Sequence, residues 1–428
     1  MTRIGPSRLV AITICVAAVG CAAHQPTVEG GPANEGSEPL LPATLYAYSD
    51  SSAPLPAHFL FPGPPGRLGG PGGPPPFGPP GGRGGPPGRG GPGGPGGPVL
   101  ATDRTPLSNP TTDAGATLGR VLFYDRRLSA NNTTACASCH QQQFGFGDTA
   151  RFSVGFDGQR ATRHTMALAN ARFYREGRYF WDERAVSLED QALQPIQNER
   201  EMGLSLDALE SKLRRTAYYP ALFKAAFGSA DVSRERVARA LAQFVRSLVS
   251  AQSPFDAAFA RVGPGVGRGP GGRGRGGPPP DFQVLTPEQR IGQRLFVGRA
   301  GCAQCHGTNA LVLDAPHNTG LDATITDQGA GGGRFKAPSL RNVAVRAPYM
   351  HDGRFATLRE VVDFYDHGVQ PNRNLDRRLR DGSDAPRKLN LSENERVALV
   401  AYLESLTDTT FLTARKFSNP FLPATSGR

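Results

Sequence analysis

The sequence predicts a mainly α-helical protein in which two domains of the same build lie side by side. Apolar side chains recur at helical spacing in several stretches, whereas no convincing run of alternating apolar and polar residues predicts a β-strand. The segment Leu118–Phe123, with the sequence LGRVLF, is repeated as IGQRLF at Ile291–Phe296. Residues 101–415 are enough for two domains of ordinary size, and the internal repeat supports that division.

Four helices follow from local sequence patterns. One covers the first copy of the repeat, and another covers residues 237–249, where apolar side chains form one stripe. The helix of the second copy begins after Thr286, a typical N-cap residue, with Pro287 at the first helical position. The fourth begins at Ser392, whose spacing from Glu395 is that of a capping box.

Each copy of the repeat is followed by a Cys-x-x-Cys-His motif. The two motifs are Cys136-Ala-Ser-Cys139-His140 and Cys302-Ala-Gln-Cys305-His306. In such a motif two thiols can bond to a haem while the adjacent histidine binds its iron. A redox or zinc-binding Cys-x-x-Cys is the alternative, but apart from Cys15 and Cys21 every cysteine belongs to a motif that also supplies a histidine. The sequence therefore predicts two covalently bound haem c groups in two cytochrome c-like domains.

The first twenty residues are typical of an export signal. Basic residues are followed by an apolar run, Leu9–Val19, that is too short to span a bilayer. Ala18-Val19-Gly20-Cys21 is similar to the lipobox at which bacterial lipoproteins are cleaved and acylated. Ordinary secretory cleavage, with Cys21 an incidental thiol, is the alternative. We expect a periplasmic protein that the lipid on Cys21 anchors to the outer membrane.

Two segments rich in Gly and Pro are not expected to fold. Their composition cannot bury enough apolar surface to offset the entropy of the chain. We predict a tether at 21–100, a first haem domain at 101–262 and a flexible loop at 263–281. A second haem domain at 282–415 and a tail at 416–428 complete the chain.

The formal net charge of +11 lies partly on arginines of these Gly/Pro-rich segments. An Arg/Gly-rich nucleic-acid binder is one interpretation, but export and the lack of interleaved aromatic residues argue against it. The charge suits anionic lipid, cell-wall polymer or an acidic redox partner better. We therefore expect no nucleic-acid partner.

Longer motifs resemble one family, the di-haem bacterial cytochrome c peroxidases and their relative MauG. The first set is Asn170-Ala-Arg-Phe-Tyr, Phe180-Trp-Asp-Glu-Arg-Ala, Leu188-Glu-Asp-Gln-Ala-Leu-Gln-Pro-Ile and Glu201-Met-Gly. The second set is Ala337-Pro-Ser-Leu-Arg-Asn-Val, Ala347-Pro-Tyr-Met-His-Asp-Gly and Phe364-Tyr-Asp-His-Gly. The resemblance covers about residues 101–410 and implies two c-type domains, with a peroxide-binding haem in the first and an electron-storing haem in the second.

The resemblance also assigns roles to individual residues. It implies an electron relay at Trp181, the single tryptophan of the chain, and a peroxide pocket with Gln191, Pro195 and Glu201. A carboxyl in a confined pocket can carry a proton between the two peroxide oxygens, which gives Glu201 a chemical reason of its own. Without the resemblance, a core tryptophan and a solvated surface glutamate would be the simpler interpretations.

The chain departs from the family pattern at the first haem. Where members that need reductive activation have a removable histidine ligand, the nearest residue by length is Phe156, so the first iron is expected to be open. His164 is the alternative sixth ligand, although a histidine beside an arginine is more often a hydrogen-bonding residue. It also stands about where the family has an asparagine that binds an interdomain calcium, so calcium is a doubtful cofactor here.

Two residues compete for the sixth position of the second haem. Spacing alone favours Met350, because a thioether is a usual ligand in c-type electron carriers. The resemblance favours Tyr365, whose hard anionic oxygen would lower the reduction potential, as in MauG.

These observations predict an enzyme that reduces hydrogen peroxide to water with electrons from a small cytochrome c or copper protein. Three alternatives remain: MauG-like oxidation of residues in a partner protein, an anchored di-haem electron carrier without a substrate, and an adhesive or scaffold lipoprotein that acts through its Gly/Pro-rich arms.

Overall fold

A computed structural model describes residues 38–60, 99–260, 280–313 and 315–421. The predicted signal at 1–20, Cys21, most of the tether, most of the 263–281 loop and the last residues of the tail lie outside the described residues. The described part is mainly helical, as predicted, and its β-structure is limited to isolated bridges. The α-helices are α1 (Ala57–Leu60), α2 (Asp113–Tyr124), α3 (Cys136–Cys139), α4 (Leu188–Gln197), α5 (Leu206–Arg215), α6 (Tyr219–Phe227), α7 (Arg234–Ser247), α8 (Pro254–Ala257), α9 (Pro287–Val297), α10 (Leu358–Asp363), α11 (Glu393–Glu404) and α12 (Thr409–Thr413).

Helix ends form where the sequence supplies capping side chains. Thr286 accepts a hydrogen bond from the N–H of Gln289 at the start of α9, with Pro287 in the first turn. Ser392 and Glu395 form the predicted capping box of α11. Both capping predictions are confirmed, and both helices carry side chains of the second core.

The repeated segment marks the same helix crossing in both domains. In the first domain α2 packs on α7, and a Cβ added to Gly119 would lie 2.0 Å from the carbonyl oxygen of Ala240. In the second domain α9 packs on α11, and a Cβ on Gly292 would lie 1.9 Å from the carbonyl oxygen of Ala398. The glycine of each repeat thus lets the two helices of its domain approach closely.

The last residue of each repeat links this crossing to a haem motif. The Phe123 ring lies 5.2 Å from that of Phe244 and 6.4 Å from that of His140, between centroids. The Phe296 ring lies 5.1 Å from that of Tyr402 and 6.4 Å from that of His306. The two domains therefore position their motif histidines by the same packing.

Replacing Gly292 by alanine is expected to lower the free energy of unfolding by about 3 kcal/mol. The new methyl group would meet a backbone carbonyl that cannot rotate away, so α9 and α11 would have to separate. Chemical denaturation of the holoprotein measures the change. Gly382, whose added Cβ would meet nothing within 4 Å, is the control, and Gly382→Ala should change stability by less than about 0.5 kcal/mol. Equal stability of the two variants would contradict the crossing argument.

Segments from both ends of the described chain pack on the first domain. Tyr48 lies in its core, and Asp113 accepts the N–H groups of Tyr48 and Ser49. After α11 the chain returns, and Phe411 and Phe417 join the same core. Residues 38–60, within the predicted tether, are thus packed against the fold.

Two asparagines in left-handed conformation join the domains. The N–H of Asn170 bonds to the carbonyl of Leu248 just after α7, and that of Asn342 bonds to the carbonyl of Leu406 just after α11. The side chains of both asparagines meet at Ser250. This contact fixes the loops that contain Asn170 and Asn342 against each other.

Candidate functional site

The first Cys-x-x-Cys-His motif forms a single helical turn, α3, followed by His140. Its Nδ1 lies 3.0 Å from the carbonyl oxygen of Phe146. Because a carbonyl only accepts hydrogen bonds, Nδ1 carries the proton and Nε2 keeps its lone pair. That is the tautomer of an iron-binding histidine whose orientation is set by a second hydrogen bond.

The cysteines of both motifs suit covalent attachment of haem. Cys136, Cys139, Cys302 and Cys305 are free thiols rather than disulfides. Burial raises the pKa of Cys136, Cys139 and Cys302 to about 12, which keeps these thiols neutral at physiological pH. In the first motif the two thiols and the imidazole face one cavity, and this is the donor set of a c-type haem.

One cavity brings the predicted residues of the first haem site together. Its lining includes Cys136, Cys139 and His140, together with Trp181, Gln191, Pro195, Glu201 and His164. Helix α4 contributes Leu188, Gln191, Ala192 and Pro195, at the i, i+3, i+4 and i+7 spacing of a single helical face. The Arg246–Glu189 ion pair, at 2.7 Å, ties α4 to α7 and so holds that face in place.

Glu201 lies in the turn that follows α4. The carbonyl of Asn198 accepts the N–H groups of residues 201–203, and the Asn198 amide donates to Glu201 Oε1 at 2.6 Å. Burial raises the pKa of the Glu201 carboxyl above its ordinary 4.5, while Arg184 and Asn198 act in the opposite direction. A carboxylate with a raised pKa is a stronger proton acceptor than an ordinary glutamate, which suits it to proton transfer.

Phe156 does not line the first cavity. It packs over Gly203, and its N–H donates to the Glu201 carbonyl at 3.0 Å. A Cβ on Gly155 would lie 2.0 Å from the carbonyl oxygen of Arg200, so the two loops are in close contact. Phe156, which the sequence indicated only as the position where a ligand histidine is missing, therefore helps to fix the backbone of Glu201.

Replacing Gly203 by alanine is expected to destabilise the loop and to slow turnover. Gly203 has φ +63°, and its added Cβ would lie 2.3 Å from the Phe156 ring. Gly158 is a matched control, because it has φ +87° and its added Cβ would meet nothing within 4 Å. Gly158→Ala should cost about 1 kcal/mol of stability from backbone strain alone. Only Gly203→Ala should also lower activity, and equal activity of the two variants would contradict a positioning role for Phe156.

His164 lies beside His140. Its Nδ1 approaches the carbonyl oxygens of Ala150 and Arg151 at 3.1 and 3.2 Å. The carbonyl of Met166, two residues further on, interacts with the His140 ring itself. Residues 164–166 thus pack against the predicted iron ligand, a placement that favours hydrogen bonding over a sixth-ligand role.

Trp181 connects the two domains. Its Nε1 donates to the His164 carbonyl at 2.7 Å, and its own carbonyl accepts the N–H of Lys336 from the second domain. The His351 ring lies 6.3 Å away, edge to face. The indole thus lines the first cavity and touches the second domain, as an electron relay would require.

The second motif forms a 3-10 turn, Cys302–Gln304, and Tyr365 lies near its cysteines. This tyrosine lies in a π-helical turn, Phe364–Gly368, and its electrostatic neighbours are Cys305 and Cys302. Burial raises the pKa of the phenol, so a tyrosinate ligand needs the positive charge of a bound iron to offset that effect. Met350 packs in the same apolar cluster as Tyr365.

Among the described residues, no three His, Cys, Asp or Glu side chains converge as metal ligands would. Instead the Arg163 guanidinium joins Asp182 of the first domain, at 2.7 Å, to Asp327 of the second, at 2.8 Å. A fixed cation thus bridges acidic groups of the two domains.

The sequence did not indicate Lys336 and Arg184 as parts of the first cavity. Arg184 lies over the Phe180 ring, 3.5 Å from its centroid, and influences Glu201 electrostatically. Lys336 comes from the second domain. The sequence signal that could have indicated Lys336 was its position directly before the Ala337-Pro338 motif.

Known proteins share this architecture. Residues 113–262 match the family model of the di-haem cytochrome c peroxidases, and residues 289–407 match that of cytochrome c. Methylamine utilization protein MauG of Methylorubrum extorquens is 36% identical over 313 residues, which are 70% of this chain and 80% of that protein. Cytochrome-c peroxidase IdrP1 of Denitromonas iodatirespirans is 30% identical over 346 residues, 71% of this chain and 84% of that protein.

Solved structures of other proteins are similar to this fold. A MauG-like protein associated with microbial copper homeostasis is 31% identical, with a TM-score of 0.62, 75% of this chain covered and 97% of that one. The diheme peroxidase BthA of Burkholderia thailandensis has a TM-score of 0.57 at 22% identity, with 73% and 91% covered, and so supports the fold. The chain belongs to the di-haem cytochrome c peroxidase and MauG family of oxidoreductases, with two covalently bound haem c groups.

Proposed function

We propose that the protein reduces hydrogen peroxide to water with two electrons from a small cytochrome c or copper protein. The observation that carries the proposal is the cavity shared by His140, Glu201 and Gln191, in which the pKa of Glu201 is raised. The haem held there would supply the iron that takes up peroxide and the redox change. The first domain, 101–262, is thus proposed to carry the peroxide chemistry, and the second, 282–415, to store electrons.

The side chains of the cavity would handle protons and water. Glu201 would accept the proton of the peroxide oxygen nearer the iron and return it to the departing oxygen. Gln191 can donate or accept a hydrogen bond and would orient the peroxide. Pro195 adds an apolar wall at the same helical face, which limits competing water.

Trp181 is proposed to carry electrons between the two haem sites. Trp181→Phe is expected to slow electron transfer between the haems about tenfold, while peroxide still reacts at the first site. Stopped-flow spectra after peroxide addition would follow both haems. Phe180→Leu is the control, since it alters a neighbouring aromatic residue that also lines the cavity. Equal rates for the wild type and Trp181→Phe would contradict the relay role.

MauG-like oxidation of residues in a partner protein is the second candidate function. It is favoured by the 36% identity to a protein named methylamine utilization protein MauG. Steady-state turnover of peroxide with reduced cytochrome c supports the peroxidase. Modification of a candidate partner protein under peroxide, without such turnover, supports the alternative.

Two further classes make different predictions. A di-haem electron carrier without substrate needs two six-coordinate irons, so failure of the oxidised protein to bind cyanide would favour it. A scaffold lipoprotein would act through its Gly/Pro-rich arms. Deletion of residues 61–98 leaves the packed segment 38–60 intact, and full peroxidase activity of that variant would count against the scaffold.

Export to the periplasm is proposed from the signal-like first twenty residues, and an outer-membrane anchor at Cys21 is proposed from the lipobox-like sequence. Within the described residues, each helix is too short or too polar to cross a bilayer. Cell fractionation with lipid labelling tests the anchor. Cys21→Ser should abolish labelling and release the protein, and unchanged fractionation would refute lipid anchoring.

A further inference from the structure

Lys336 is a buried lysine of the second domain that lines the cavity of the first haem. Only 3% of its surface is exposed. Its backbone N–H donates to the Trp181 carbonyl at 2.9 Å, which fixes the residue at the domain junction. The chain thus places a cation from one domain beside the cofactor of the other.

The contacts of the ammonium group are weak ones. Nζ lies 3.4 Å from Met166 Sδ and over the rings of Tyr174 and Tyr179, at 4.6 and 5.7 Å from their centroids. A thioether is a poor acceptor, and aromatic faces offset only part of the cost of burying a charge. Among the described residues Glu183 is the anion that influences Lys336, but its carboxylate already accepts the Tyr174 hydroxyl.

Burial of this kind is unfavourable for a charged amine. It lowers the pKa of Lys336 to about 8. Proteins bury charges mainly where an opposite charge or several hydrogen bonds compensate. Among the described residues, the ammonium group has Glu183 as an influencing anion and the Met166 sulfur as a weak hydrogen-bond acceptor, which compensate only part of this cost. The cavity beside it is the place where a haem is held.

We propose that Lys336 binds a carboxylate of the first haem, so that the second domain contributes an ionic contact to the cofactor of the first. Every haem c brings two propionate carboxylates into its cavity, and Lys336 is a cation on the wall of that cavity. The proposal rests on family membership, which establishes the haem, and not on peroxidase activity. The lysine acts as a positioning and electrostatic residue.

The ion pair has a measurable consequence for the redox equilibrium. A nearby cation disfavours the oxidised iron, which carries one more positive charge than the reduced iron. Lys336 should therefore hold the reduction potential of the first haem above the value it would have with a neutral residue. If Lys336 only packed between Tyr174 and Tyr179, an aliphatic side chain of similar length in its place would leave the reduction potential of the first haem unchanged.

Redox titration of the holoprotein followed by visible spectroscopy tests the proposal, with Lys336→Met as the neutral variant and Lys336→Arg as the charged one. Lys336→Met should shift the reduction equilibrium of the first haem about tenfold toward the oxidised form, which is 59 mV for a one-electron couple. Lys336→Arg and the exposed control Lys224→Met should match the wild type. Low-temperature EPR of poised samples assigns each titration step to its haem.

Two outcomes would overturn the proposal. One is an unchanged potential in Lys336→Met, and the other is an equal shift in Lys336→Arg, which would show that shape rather than charge matters. Haem-stained denaturing gels should show the covalent haem content of the wild type in each variant, because the thioether bonds do not depend on Lys336. If Lys336→Met does not accumulate, Lys336→Gln removes the charge with a polar end group and carries the same expected shift.

Discussion

Glu201→Gln is expected to lower kcat/KM for hydrogen peroxide by about 10² to 10⁴-fold. The amide keeps the shape of the side chain, and its oxygen can still accept the hydrogen bond from Asn198. What it loses is the ability to take up and return a proton. Steady-state peroxide reduction with reduced cytochrome c measures the change, and unchanged haem spectra would show that the site is otherwise intact.

Glu199→Gln is the control for this experiment. Glu199 is exposed and lies two residues away in the same acidic and basic cluster. Its replacement should leave kcat/KM within about twofold of the wild type. An equal loss in both variants would mean that the charge of the cluster matters rather than proton transfer at Glu201, and a full rate in Glu201→Gln would remove Glu201 from the mechanism.

The pH dependence of the same rate follows from the pKa of Glu201. Because burial raises this pKa above 4.5, the carboxyl becomes protonated at a higher pH than an ordinary glutamate does. Once protonated, it cannot accept the proton of the peroxide. Activity should therefore fall as the pH decreases through the raised pKa, and the Glu201→Gln variant should lack that limb. Arg184 lowers the pKa, so Arg184→Gln should move the limb to higher pH.

The fold was predictable because its signals are local. Both copies of the repeat form the helices that their apolar spacing predicted, and Thr286 and Ser392 begin the helices that they were expected to begin. The haem motifs are likewise continuous in sequence. Such features need only nearest-neighbour backbone geometry and a few fixed spacings.

Features that depend on loop packing were not predictable in the same way. The spacing of Phe156 from other residues gave no sign that it packs on Gly203 and holds the Glu201 backbone. Lys336 reaches the first cavity only through contact between the domains. Residues 38–60 lie within the predicted tether but contain no glycine, and their side chains Tyr48 and Phe59 are buried. Long-range contacts of this kind have no local signature in the sequence.

Tyr365→Phe is expected to raise the reduction potential of the second haem by about 100 mV or more, within the span of about 0.8 V that axial ligands control. The variant keeps the ring that packs with Phe364 but removes the oxygen, and with it the anionic donor that favours the oxidised iron. Redox titration, with EPR of the oxidised protein, measures the change.

Met350→Leu decides between the two candidate ligands. Leucine keeps the apolar packing against Phe364 and Tyr365 but has no sulfur to bind iron. If Tyr365 is the ligand, Met350→Leu should leave the potential and the EPR signal of the second haem unchanged. The reverse pattern, with a large change in Met350→Leu and none in Tyr365→Phe, would assign the thioether. In that case the second haem would hold its electrons at a higher potential, which suits acceptance of electrons from a small cytochrome better than storage of an oxidising equivalent.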